Sequence, residues 1–469
     1  MPPPAELDGV LMEITRSLAR FVVQSEYLSI PDAPRREAVR SLFNWIGCAI
    51  GGARHEAVER ALEALKDYAR LPQATVLGRS ERLDTLHAAL INGISSHVLD
   101  FDDTDLRTLL HPSVPVAAAL MALAERRRIS GPQLIHAFIL GVEVEGRIAN
   151  AIYANHNLDW YITGTVGPFG AAAAAGKVLG LDEQQMVWAL GIAATEGAGL
   201  RQMAGTMAKA FVHGRAGQNG LYAAMLASSG FTSSDQAIEG PHGFARTVGR
   251  IPDAQAVARG LGESYQIMLN TYKPYACGVV AHPVIDGCLS LREQHALEPN
   301  GIQRVRLRVH PQALKLTGIK SPRSGLESKW SIYHSAAVAL VRGQAGEHEY
   351  SDRWVLDRDV SSLRNRIEAT EDARLRQDEA HLSISLKDGR VFEHHVQHAV
   401  GSVARPMSDA ELEAKFVGLA EHVFPTKQID GLVRLCWSAA ELEDIAEIAR
   451  MSVPAQADAK QSGQGMEEL

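Results

Sequence analysis

Over roughly residues 8–265, apolar positions recur every three or four residues, the period of helices packed on one side. In residues 38–50, Val39, Leu42, Phe43, Ile46 and Ile50 fall on one such face. Residues 114–125 continue the pattern behind Pro112 and Pro115, which suit a helix start. Residues 170–180 are nearly all small in their first half, so the spacing predicts a helix that another backbone can approach closely. Period-2 alternation begins only after residue 268. Val305, Leu307 and Val309 alternate with arginines, and Leu382, Ile384 and Leu386 share a face ahead of an Asp388-Gly389 hairpin turn. Residues 331–341 and 362–369 read as helices between these strands, and residues 409–421 and 428–449 return to helix after Pro406. The pattern predicts a mainly α protein in four stretches. Residues 1–268 form a large all-helical domain and 269–402 a smaller α+β domain. Residues 403–452 are helices returning to the large domain, and 453–469 are a polar, disordered tail.

Composition narrows the function. The 469 residues are 46% hydrophobic and 22% charged, a balance typical of globular chains. A net charge of −8 argues against a nucleic-acid binder, which carries a basic face. It leaves room for an anionic small molecule held by a local cluster of cations. Four cysteines without a CxxC pair point to a reducing compartment and give no zinc ribbon. The apolar stretch at 162–181 is rich in Gly and Ala and reads as a buried helix, not a membrane span. A cytoplasmic enzyme is the expectation.

Several familiar motifs fail on inspection. Residues 170–177 resemble a phosphate loop, but Val178 stands where a Ser or Thr would hold magnesium. No GxGxxG follows a strand, and His394, His395 and His398 read as an ordinary strand face. Three segments carry more. Asp100, Asp102 and Asp103 crowd three carboxylates into four residues ahead of Thr104 and His111, an arrangement that needs nearby cations or hydrogen bonds. A metal loop and an acidic helix end explain them equally well at this point. Lys209, His213 and Arg215 form a second cluster; Lys273, Cys277, His282 and Asp286 form a third. A lysine within small, apolar sequence must be satisfied by a carboxylate partner or a bound anion.

Together these segments resemble the MmgE/PrpD family over roughly residues 10–450. The marks are HAALING at 87–93, LDFDDT at 99–104, HPSVP at 111–115 and GPFGAAAAAGK at 167–177. Lys209 with GRA at 214–216, KPYAC at 273–277 with His282-Pro283, and KDGR at 387–390 follow in order. The resemblance implies a homodimeric enzyme, free of metal and organic cofactor, with its site in a cleft between the two domains. It takes a small polycarboxylate there. Carried over position by position, it implies catalytic roles for Asp100, His111 and Lys273, and substrate contacts for Thr104, Lys209 and His213. Two positions depart from the family pattern. Tyr161 stands where dehydratases and decarboxylases of the family have a histidine, and is taken here as a catalytic acid or base. His334, beside Tyr333, stands where a tyrosine is usual, and is taken as substrate-binding. The leading expectation is a lyase of dehydratase or decarboxylase type. An epimerase of iminodisuccinate type is the alternative, and a carboxylate-binding member without catalysis is the third.

Overall fold

The computed structural model describes residues 13–69, 71–153, 159–248 and 255–455. Helices dominate it, with twenty α-helices among the described residues. The face read from residues 38–50 lies inside helix Asp32–Gly52, where Leu42, Phe43, Ile46 and Ile50 are fully buried. The small-residue segment forms helix Ile162–Leu179, buried along almost its whole length. Its neighbours come close because glycines face it. A Cβ on Gly141 would lie 2.7 Å from the Gly170 carbonyl, and one on Gly220 would collide with the Pro168 carbonyl. Helices Gly131–Tyr153 and Met207–Ser228 therefore pack onto it with little between the backbones.

The strand reading holds for the later half. A four-stranded sheet runs in the order Ile367–Glu371, Ile302–Val309, Ala380–Leu386, Val391–Val396. Val305, Leu307 and Val309 are buried while Arg304, Arg306 and Arg308 face solvent, the alternation of a half-covered sheet. Asp388-Gly389 makes the hairpin turn, with Gly389 at φ +90° and the Leu386 N–H donating to the Arg390 carbonyl at 2.8 Å. Residues 362–369 correct the expectation of a helix. The helix there, Arg358–Arg364, is capped by Asp357, and the chain then enters strand Ile367–Glu371, parallel to Ile302–Val309. Ile367 is buried in that pairing, a long-range contact with no local periodicity to announce it.

The last helices fold back onto the first. Phe43 lies between Phe416 and Trp437, with ring centroids 4.8 and 4.4 Å away, and Gly47 leaves room for the Phe416 ring. The helix expected over 428–449 is interrupted. Thr426–Trp437 ends, residues 439–445 turn, and Ala446–Met451 resumes, because the turn trades backbone hydrogen bonds with residues 129–131. Most of the tail expected at 453–469 lies outside the described residues. No described helix is long and apolar enough to cross a membrane.

Candidate active site

Asp84 caps helix Thr85–Val98 by accepting from the Leu86 and His87 N–H groups. Just past the helix end, Asp100 adopts φ +52°, a left-handed conformation that disfavours most side chains by about 1 kcal/mol but that aspartate tolerates better than most. The turn drives its carboxylate inward, where Oδ1 lies 2.6 Å from Lys273 Nζ and Oδ2 lies 3.1 Å from Lys209 Nζ. A two-residue ladder fixes this register: Thr104–Asp105 pairs antiparallel with Asn270–Thr271, two residues ahead of Lys273. Burial alone would raise the Asp100 carboxyl, but Lys209 and Lys273 outweigh it and hold it well below the usual carboxylate range. The two lysines are not equivalent. Lys273 also donates to the Asp100 carbonyl at 3.0 Å; burial pulls it down, but the charges of Asp100 and Asp102 with the hydrogen bond to Asp100 together push it up. Lys209 meets Asp100 without the alignment of a hydrogen bond, rests 4.6 Å above the Trp330 ring, and burial pulls it down to about 8.

Asp102, two residues on, serves a different pair. Its carboxylate receives Nδ1 of His97 at 2.9 Å and Nδ1 of His111 at 2.8 Å. Because a carboxylate only accepts, both histidines carry their proton on Nδ1, leaving Nε2 unprotonated. Burial lowers His111 and takes His97 down to about 3, so both rings are neutral at pH 7. The ring of His97 stacks on His213 with centroids 3.5 Å apart. The helices bearing them approach this closely because Gly93 faces Gly214; a Cβ on Gly93 would sit 2.5 Å from the Gly214 Cα. His213 donates its own Nδ1 proton to the Lys209 carbonyl, 2.8 Å away and one turn back on the helix.

One cleft is lined by residues that include Asp100, Thr104, His111, Tyr161, Arg201, Lys273 and Trp330. Lining residues come from both sides of residue 268. His111 is held at the cleft by its N–H, which donates to Thr163 Oγ1 at 3.0 Å, and by Pro112 at the start of helix Ser113–Ala124. Tyr161 precedes helix Ile162–Leu179. Its hydroxyl is buried and has no hydrogen-bond partner among the described residues, and burial together with the Asp100 charge raises it far above an ordinary phenol. It keeps its proton at any working pH. A smaller cavity of about 270 Å³ lies on the other side of Asp100, bordered by His97, Thr206, Lys209, Lys329 and Trp330.

Of the residues singled out from sequence, Asp100, Thr104, His111, Tyr161 and Lys273 therefore line the cleft, and Lys209 reaches Asp100 from the adjoining cavity. His213 lies behind His97 and Tyr161, not at the surface of the cleft. The structure does not bring His334 there: its ring is fully buried near Tyr350, and Nε2 donates to the Glu349 carbonyl at 3.0 Å. The sequence reading passed over His97 and Trp330, and saw Asp102 only as one charge in a crowd. A histidine five residues ahead of an aspartate at a helix end was the available signal for His97. Nitrogens of His97, His111 and His213 come within 4.8 Å of one another, the spacing of metal ligands. The Lys209 ammonium acts on both His97 and His213, and its positive charge opposes a dication there. On the sheet, His395 is engaged by Glu379 and His398 by Asp378.

A helical body, a small sheet and a buried lysine–aspartate–histidine cleft define a class. Residues 16–256 match the model of the MmgE/PrpD N-terminal domain, and residues 275–439 match that of the MmgE/PrpD C-terminal domain. The chain belongs to the MmgE/PrpD family and is an enzyme of that family's lyase type. It is 26% identical to a cis-aconitate decarboxylase of Homo sapiens, over 94% of this chain and 95% of that protein. It is 28% identical to one of Aspergillus terreus, over 90% and 92%. A 2-methylcitrate dehydratase of Escherichia coli (strain K12) is 23% identical over 86% and 89%.

Proposed function

We propose that the chain is a lyase of the dehydratase or decarboxylase kind, acting on a small di- or tricarboxylate in the cleft around Asp100 without a metal or organic cofactor. The observation that carries this reading is Lys209, a buried ammonium with no aligned hydrogen bond among the described residues, which meets Asp100 beside Lys273. A substrate carboxylate supplies the missing acceptors. Lys273 then faces charge that develops on a carboxylate as the neighbouring carbon becomes enolate-like. His111, with Nδ1 committed to Asp102, offers Nε2 as a base, and Tyr161 offers its hydroxyl as an acid. In dehydration, His111 takes the proton next to the carboxylate and Tyr161 protonates the departing hydroxyl. In decarboxylation, carbon dioxide leaves and Tyr161 protonates the remaining carbanion. Thr104 contacts the substrate from the cleft wall, while His213 supports the site from behind it.

The unpartnered Tyr161 hydroxyl, in the same cleft as His111, favours one further reading: an epimerase that removes a proton on one face and returns it on the other. Incubation with a panel of polycarboxylates in deuterated water, followed by NMR, separates the two. An alkene or a decarboxylated product is the expected result. Deuterium incorporation with inversion, and no loss of water or carbon dioxide, rejects the lyase. The same proposal takes the enzyme as a cytoplasmic homodimer and divides the chain near residues 268 and 402. Light scattering giving a monomer mass would remove the first point. Limited proteolysis that spares 260–275 and 400–410 would remove the second.

A further inference from the structure

Three consecutive carbonyls of the loop that carries Asp100 are each held by a different lysine. The Leu99 carbonyl accepts from Lys329 Nζ at 2.8 Å, the Asp100 carbonyl from Lys273 at 3.0 Å, and the Phe101 carbonyl from Lys415 at 2.6 Å. Fixing the peptide planes on both sides of a Cα fixes its φ and ψ. The left-handed turn at Asp100, which aims its carboxylate at Lys209 and Lys273, is thus set by Lys329 and Lys273, and Lys415 fixes the next peptide of the loop at Phe101. Lys415 comes from helix Asp409–Ala420 and does not line either cavity. Its ammonium also donates to the Lys273 carbonyl at 2.9 Å and to Asn44 Oδ1 at 2.7 Å, and it sits 4.0 Å above the Phe101 ring. One cation therefore ties the acidic loop, the segment bearing Lys273 and helix Asp32–Gly52 together. Burial lowers it to about 8, so the protein holds an ammonium where the surroundings disfavour one.

We propose that Lys415 is a positioning residue for the active site, which keeps Asp100 and Lys273 in register by holding the Phe101 and Lys273 carbonyls at one point. This rests on the reading of the Asp100 cleft as the catalytic site. Lys415→Met is compared with Trp437→Leu, which loosens the same helix packing at Phe43 and touches nothing in the loop. On whichever polycarboxylate the wild type converts, Lys415→Met is expected to lower kcat per folded molecule about 10- to 100-fold, the penalty for misplaced reacting groups. Lys415→Ala with added propylamine should recover part of that loss. Trp437→Leu should lower Tm and leave kcat alone. Equal kcat per folded molecule in Lys415→Met and wild type overturns the proposal. Should Lys415→Met not fold, Asn44→Ala removes one of the three acceptors, and an unchanged kcat there overturns it too. Should the wild type convert nothing in the panel, the functional reading fails alone. A crystal structure of Lys415→Met then decides the positioning role. A lengthened separation between Asp100 and Lys273 is expected, and Asp100 unmoved against both lysines overturns it.

Discussion

Asp100→Asn keeps the shape of the side chain and removes its charge. The carboxylate stands 2.6 and 3.1 Å from two buried ammonium groups. At the effective dielectric that suits such sites, each attraction amounts to about 5–6 kcal/mol, before the cost of burying the carboxylate is subtracted. Removing one partner of a buried pair measures about 3–5 kcal/mol net, and the substitution should destabilise the protein by that amount near neutral pH. The pH dependence has a definite sign. Lys209, already down to about 8 with its counterion present, falls further without it. A lysine whose folded pKa lies below its unfolded value carries its full penalty at low pH. That penalty is relieved as pH rises through the folded pKa toward the unfolded one. Urea unfolding at pH 6, 7.5 and 9 should show the variant's deficit shrinking as pH rises. Malonate should restore more stability to the variant than it adds to the wild type, because it supplies the missing negative charge. A deficit under 1 kcal/mol at pH 6, or one that does not change with pH, would refute the assignment of Lys209 and Lys273 as charged partners of Asp100.

Three further outcomes follow from the same geometry. Asp102→Asn removes the negative charge that both Nδ1–H groups face and, with the amide oxygen at Oδ2, sets an NH2 donor against His97 Nδ1; turnover should drop about 10²- to 10⁴-fold with substrate affinity nearly kept. Steady-state kinetics checks this, and a tenfold loss of affinity with unchanged kcat would contradict it. Tyr161→Phe leaves packing intact and removes a proton donor, so kcat should fall about 10²-fold while Tm holds steady; unchanged kcat would limit Tyr161 to shaping the cleft. His334→Phe loses a buried hydrogen bond to Glu349 and should lower stability by about 1–3 kcal/mol without changing KM. A raised KM would return His334 to the substrate.

The parts of the site that were legible in the sequence are those whose chemistry is conspicuous locally. Three carboxylates in four residues, and lysines in small-residue sequence, demand compensation wherever they occur, and here they compensate one another through Asp100. What stayed hidden depends on partners far along the chain. His97 looked like any helix residue, because its meaning comes from Asp102 on one side and the stacked His213 on the other. Strand Ile367–Glu371 was lost for the same reason: its partner lies some sixty residues earlier, and no Gly or Pro marks the end of the helix before it. His334 shows the reverse error. Its place beside Tyr333 suggested a substrate contact, yet its ring turns into the core and finds a backbone carbonyl.

The dependence of the acidic loop on Lys415 bears on how the enzyme is made. A chain lengthening at about 5–20 residues per second needs on the order of 10 s to travel the 142 residues from Lys273 to Lys415. From residue 330 onward a nascent chain carries every side chain that lines the cleft, but not the ammonium that ties the Phe101 and Lys273 carbonyls together. On the proposed role of Lys415, a product truncated before residue 409 holds every side chain that lines the cleft without the tie that aligns Asp100 and Lys273.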